Sequence, residues 1–248
     1  MIGSFLNVAI YRVPRKLSVT KPRRSFCPKC QAQLTWYDNI PVISWLILLG
    51  GKCRSCKTKI SGRYPLVELL SAVAAAATYI QYGFTPTGLI IYLVTATLIV
   101  ISFIDFDFKI IPNVISLPGI VIGLLLGVVS HFTGWFDPKV TQGIDDSIIG
   151  LLAGGGFFFV VSELYFRATK REGLGGGDIK LLAMLGAILG WRCVAPTIFV
   201  GSFIGAIVGL LIMFFKGADR QLEIPFGPWL SLGTLIYLFT DYNLFNFG

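Results

Sequence analysis

Two aspartates stand at the edges of apolar runs, where an ionisable side chain is costly unless it pairs or works. Asp105 closes the run Leu89–Ile104, and Asp178 follows Gly175, Gly176 and Gly177 and opens the next run. Two carboxyls that meet in one site share a proton, so one can take a proton from water while the other polarises a carbonyl. That is chemistry able to hydrolyse a peptide bond. Asp107 lies two positions from Asp105, and on a helix the two point to nearly opposite sides. Only one can face a partner, and Asp107 reads as a solvated residue of a short turn near Lys109. Asp178 reads as the N-cap of the next helix, as a reacting acid, or as both. Four glycines between Gly173 and Gly177 exceed what a cap requires, and bare backbone lets an extended substrate lie beside an acid. Gly175, Gly176 and Gly177 are therefore the expected substrate loop.

Other hydrolytic arrangements fit poorly. The chain has one histidine, His131, and the topology below puts it on the opposite face from the aspartates, which excludes a Ser/His or Cys/His site. No HExxH occurs, and the triple glycine lacks the strand–helix unit of a dinucleotide site.

A second constellation is built from sulfur. Cys27–Cys30 and Cys53–Cys56 are two CxxC turns separated by 22 residues. Each turn can present two thiolates to one ion, and two turns complete a tetrahedral set, as in a zinc ribbon. Structural Zn2+ held by Cys27, Cys30, Cys53 and Cys56 is the expected use, because a reducing cytoplasm disfavours disulfides. All four ligand positions would be filled, so the metal folds the loop and does no chemistry. Between the turns, the aromatic stretch from Trp36 to Leu46 either lies on the membrane surface or lines a ligand pocket. Cys193, alone in an apolar run, reads as a small buried residue.

The elements that must position these groups are membrane helices. The chain of 248 residues is 54% apolar and only 14% charged, with mean hydropathy +0.75, whereas soluble proteins carry about 25% charged residues. Apolar runs long enough to approach the roughly 20 residues of a spanning helix recur. The expected spans are 65–83, 88–105, 112–131, 146–166, 178–191, 194–215 and 225–241. The expected fold is therefore an all-α polytopic membrane protein of about seven to eight transmembrane helices with a zinc-ribbon-like loop near the N-terminus. Residues 1–11 form a short apolar segment, read as a truncated or interfacial helix. Residues 12–64 form the basic CxxC domain, and residues 65–248 the transmembrane domain.

Charge sets the orientation. From Arg12 to Arg63 there are twelve Lys/Arg and one acid, Asp38, a net +11 that leaves −3 for the remainder of the +8 chain. Such a segment belongs in the cytoplasm. Threading the spans from it puts Asp105 and Asp178 near the same cytoplasmic face. Its basic residues attract anionic lipid headgroups, and their scatter between cysteine turns argues against nucleic acid as a partner. A proton-coupled transporter with the aspartates as relays is a rival, but that reading favours acids at the midplane and leaves the cysteines idle. A membrane-anchored zinc ribbon that recruits a partner is a second rival.

Together these residues resemble the type IV prepilin leader peptidase family, membrane aspartic proteases of the GxGD type, over essentially the whole chain. The resemblance rests on Gly3–Val8 with Tyr11-Arg12, the two CxxC turns, Asn39-Ile40-Pro41 with Ser44-Trp45-Leu46, and Arg63-Tyr64-Pro65 with Glu68. It continues through Asp105, seven residues before Pro112, and Gly175-Gly176-Gly177-Asp178 with Lys180-Leu181-Leu182. The family usually carries a full first helix, which Met1–Tyr11 is too short to supply. The resemblance implies an aspartic endopeptidase using Asp105 and Asp178. It would cleave prepilins or pseudopilins after a glycine at the cytoplasmic face of the bacterial inner membrane. It implies further that the new N-terminal amine is methylated with S-adenosylmethionine. Gly51, Lys52 and Glu68 are the candidate methyltransferase residues, Glu68 reading equally as a helix-start acid. A peptidase without methylation is the alternative within the family.

Overall fold

The computed structural model describes residues 2–21, 29, 30, 32, 45, 51–170, 175–216 and 225–240. Among the described residues the regular structure is helical, apart from one isolated antiparallel bridge between Lys52 and Lys59. The helices are α1 (Ile2–Arg12), α2 (Arg63–Tyr82), α3 (Pro86–Phe108), α4 (Asn113–Thr133), α5 (Ile144–Leu151), α6 (Phe157–Thr169), α7 (Gly176–Leu189), α8 (Val194–Lys216) and α9 (Gly227–Phe239). The expected all-α architecture is present.

Local sequence sets the boundaries. The Thr85 hydroxyl caps α3 by accepting the Gly88 N–H at 3.1 Å, with Pro86 following where a missing N–H costs nothing. The far end stops at Lys109, left-handed at φ 52°, whose N–H donates to the Asp105 carbonyl. Pro112 then sets the extended residue before α4, which ends on Gly134 at φ 60°.

Among the described residues, fewer helices qualify as spans than the sequence reading expected. Four helical stretches among the described residues are long and apolar enough to cross a membrane: 86–108, 113–133, 144–169 and 191–215. Helix α2 has 20 residues but is less apolar. Helices α7 and α9 have 14 and 13 residues, only about 20 Å at 1.5 Å per residue. The apolar pattern of α7 arises because the helix is enclosed by protein. Ile179 and every residue from Leu181 to Leu189 are buried. An apolar run says that water is absent, and it does not distinguish lipid from neighbouring helices.

Glycine makes that enclosure possible. Gly119, Gly123 and Gly127 recur every fourth residue along α4 and are buried together with Ser116 and Ser130, so α4 offers α7 and α5 a bare stripe. A Cβ on Gly123 would fall 2.7 Å from Ala187, and one on Gly127 would fall 2.7 Å from Ser147. On the other side, α5 runs into α6 through a π-helical segment, Leu152–Gly156. Its Gly155 brings the backbone so close that a Cβ would lie 2.6 Å from that of Ala183. Ser147 ties the three helices, its hydroxyl within hydrogen-bonding distance of the carbonyls of Gly123 (3.1 Å) and Ala187 (2.7 Å).

The short segment at the N-terminus is α1, packed on α2 and α3. A Cβ on Gly3 would lie 2.8 Å from the Glu68 Cα. Leu6, Ala9 and Ile10 join Val67, Ala96, Ile99, Val100 and Ile104 in one buried cluster. The Asn7 amide donates to the Tyr64 carbonyl at 3.1 Å, and the buried Arg12 donates to the carbonyls of Ser18 and Lys21.

Candidate active site

Asp105 lies in the last turn of α3 and Asp178 in the first turn of α7, so both stand at helix ends. Asp178 is the third helical residue, and the N-cap is Gly175. The cap position expected for Asp178 is therefore taken by a glycine three residues earlier. The Asp178 side chain folds back over that cap, since a Cβ on Gly175 would sit 2.8 Å from Asp178 Oδ2.

Ile111, in the short connection from α3 to α4, joins the two halves. A Cβ on Gly177 would lie 3.0 Å from the Ile111 Cβ, and one on Gly227 would lie 3.3 Å from its Cδ1. Gly177 precedes Asp178, and the Gly227 N–H donates to Asp105 Oδ2 at 2.9 Å. The ends of α3 and α7 that carry the two aspartates thus meet at one isoleucine. Asp105 is 5% exposed, while Gly175 and Gly176, which precede Asp178 in the chain, are exposed. Lys180 donates to Asn113 Oδ1 at 2.9 Å, tying α7 to the start of α4 at the same end of the molecule.

Asp107 is exposed, as expected of a solvated residue, but it lies in the last turn of α3 and not in the connection that follows. It forms an ion pair with Arg63, whose guanidinium also donates to the Phe103 carbonyl at 2.8 Å and stands 4.8 Å from the Phe103 ring centroid. The pair straps the start of α2 to the end of α3. Asp107→Asn weakens a half-exposed ion pair worth at most about 1 kcal/mol. The expected outcome is cleavage within about threefold of the parent. A loss as deep as that of an Asp105 variant would move the reacting acid to Asp107.

Three of the four expected metal ligands, Cys30, Cys53 and Cys56, have sulfurs all within 4.8 Å of one another. Cys27 lies outside the described residues. Cys30 and Cys53 are 3.9 Å apart, and four thiolates at Zn–S distances of about 2.3 Å form a tetrahedron with edges of about 3.8 Å. The sulfur set therefore fits zinc. The second turn is built by Cys53 N–H donating to Thr58 (2.8 Å) and Lys57 N–H donating to Cys53 (2.9 Å), with Lys57 at φ 58°. The Cys56 thiol is held down to about 6 by hydrogen bonding with the Thr58 hydroxyl and backbone. Thiolates bind metal only when deprotonated. Zinc uptake by the stripped protein is accordingly expected to persist above pH 6 and to weaken as pH falls through it, read by competition with a chromogenic chelator. Equal uptake at pH 7.5 and pH 5 would contradict this.

Gly51 and Lys52 lie beside this turn. Gly51 adopts φ +70° against the Trp45 ring, and its carbonyl accepts the Ile60 N–H at 2.7 Å. Glu68 is half-buried on α2, its backbone under Gly3 of α1. Three features escaped sequence reasoning: Arg63 as a strap, Ile111 as the shared wall and the Gly227 N–H on Asp105. Only the last left a signal. Pro225-Phe226-Gly227-Pro228, a glycine bracketed by prolines at the head of an apolar run, marks a constrained helix start.

Residues 1–82 match the Bacterial Peptidase A24 N-terminal domain, and residues 92–210 match the Type IV leader peptidase family. Relatives named prepilin leader peptidase/N-methyltransferase include one from Pseudomonas aeruginosa, 36% identical over 260 residues covering 96% of this chain and 86% of that protein. One from Aeromonas hydrophila is 36% identical over 264 residues, covering 96% and 87%. One from Neisseria gonorrhoeae is 36% identical over 266 residues, covering 97% and 88%. No solved structure matches the chain. Identity of this level across nearly the full length places the chain in the type IV leader peptidase family.

Proposed function

We propose that the chain is a bifunctional prepilin peptidase of the inner membrane, with Asp105 and Asp178 as its reacting acids. The observation that carries this reading is the gathering of the end of α3 and the start of α7 around Ile111. One carboxylate takes a proton from water as the water oxygen attacks the scissile carbonyl carbon. The other, protonated, donates to the carbonyl oxygen, giving a tetrahedral diol. Collapse of the diol breaks the C–N bond and returns a proton to the leaving amine. The exposed glycines before Asp178 offer backbone against which an extended leader lies. Two acids at helix ends suit a bond at the membrane border and do not suit a midplane proton relay.

The substrates on this reading are prepilins and pseudopilins, cut after the glycine that ends a basic leader. The zinc loop and both aspartates face the cytoplasm, where the leader remains. Residues 12–64 serve as the zinc-stabilised domain and residues 65–248 as the peptidase domain. S-adenosylmethionine supplies an activated methyl group when bound. On this reading the half-buried Glu68 carboxylate would accept ribose hydroxyls or sit beside the sulfonium, and Lys52 would pair with the donor's carboxylate. Gly51, Lys52 and Glu68 would hold the donor. Mass spectrometry of a co-expressed prepilin tests both activities. Leader loss and an added methyl group are the expected masses; an intact precursor removes the peptidase reading, and an unmethylated product removes the second activity.

A further inference from the structure

We infer that Gly227, at the N-terminus of α9, is a positioning residue of the peptidase that holds the Asp105 carboxylate through its backbone N–H. This rests on the two-aspartate reading and extends it to a helix outside both matched stretches, 1–82 and 92–210. Asp105 is 5% exposed, and the Gly227 N–H donates to its Oδ2 at 2.9 Å. A buried carboxylate held by a fixed donor loses the rotational freedom that would misalign its other oxygen. An amide N–H can only donate, so Oδ2 is committed as an acceptor. The proton shared by the pair is thereby confined to Asp105 Oδ1 and Asp178, the side on which water must be activated.

Glycine is dictated at this position. A Cβ on Gly227 would lie 2.9 Å from Asp105 Oδ2 and 3.3 Å from Ile111 Cδ1, displacing the acid or the shared wall. The donor is also rigidly mounted. Pro228 fixes the first turn of α9, and Ser231 donates to the Gly227 carbonyl at 2.8 Å. Gly201 of α8 admits the α9 backbone so closely that a Cβ would sit 2.9 Å from the Trp229 carbonyl. At the other end the buried Lys139 Nζ donates to the carbonyls of Tyr237 (2.7 Å) and Thr240 (3.0 Å), and the Tyr82 hydroxyl donates to Leu238. A peptide N–H held at both ends of its helix is a fixed dipole aimed at the acid.

The test is Gly227→Ala assayed in detergent on a purified prepilin, beside Asp105→Asn and Asp178→Asn. The expected result is a kcat lower by about 100-fold with KM within about threefold, since the interaction acts on reacting geometry and not on leader binding. Methylation of a pre-cleaved pilin stays at the parent rate. Gly227→Ala combined with Ile111→Val relieves the isoleucine wall but not the clash with Oδ2, so it is expected not to recover kcat; recovery would reduce Gly227 to packing. Pro228→Gly adds no bulk and loosens the first turn, with an expected kcat loss of about tenfold; it decides the matter if Gly227→Ala does not fold. Cleavage at the parent rate in both Gly227→Ala and Pro228→Gly, with the aspartate variants dead, overturns this inference alone. Cleavage surviving in the aspartate variants overturns the pair itself.

Discussion

Asp105→Asn and Asp178→Asn are each expected to lower prepilin cleavage by at least about 1,000-fold while leaving methylation of a pre-cleaved pilin intact. Asparagine keeps the shape of the side chain but can neither take a proton from water nor give one to a carbonyl. At position 105 the Gly227 N–H finds either an amide oxygen or a mismatched NH2, and so that variant can also lose alignment. The two losses are expected to be non-additive: the double variant should be no worse than either single one, because the carboxyls act as one unit. Cleavage multiplying down in the double variant would mean that the acids work independently. Methylation lost together with cleavage would mean that the substitution had unfolded the protein.

The second large effect concerns Gly150 and Gly186, which meet backbone to backbone between α5 and α7. A Cβ on either would overlap the carbonyl group of the other. Backbone cannot give way as a long side chain can, so the cost lies at or above the upper end of overpacking, about 3 kcal/mol. Gly186→Val should strongly reduce the yield of folded protein and its thermal midpoint in detergent. By contrast, Gly119→Ala, where the obstructing group is the Met184 side chain and not backbone, should cost less, since methionine repacks readily. Equal stability of the Gly186 and Gly119 variants would show that α5 and α7 are not held at this distance.

Much of the site was legible in the sequence, because polar residues are expensive in apolar surroundings and so stand out. Asp105, Asp178 and the glycines before Asp178 are conspicuous for that reason, and the spaced cysteines are conspicuous because metal chemistry requires pairs. The span count was less legible. The run 178–191 has the hydropathy of a lipid-facing helix, yet α7 is sheathed by α4, α5 and the π-helical segment. The stripe Gly119, Gly123, Gly127 was the available clue, since small residues four apart mark a face that receives another helix. The role of Asp107 was hidden because its partner, Arg63, is 44 positions away. The prolines around Gly227 mark a constrained helix start, but not its contact with Asp105. That contact is made by a peptide N–H, and a donor that every residue but proline possesses leaves no trace in side-chain identity.

The sheath around α7 has a consequence for how the enzyme meets its surroundings. Bilayers differ in thickness, and a long helix exposed to acyl chains must tilt or bend to match them. The carrier of Asp178 is too short to span and is screened from those chains, so the adjustment falls on the outer helices α4, α6 and α8, whose outward faces carry the exposed Val121, Phe159 and Phe203. Cleavage should therefore vary little when the protein is reconstituted into lipids of shorter or longer tails.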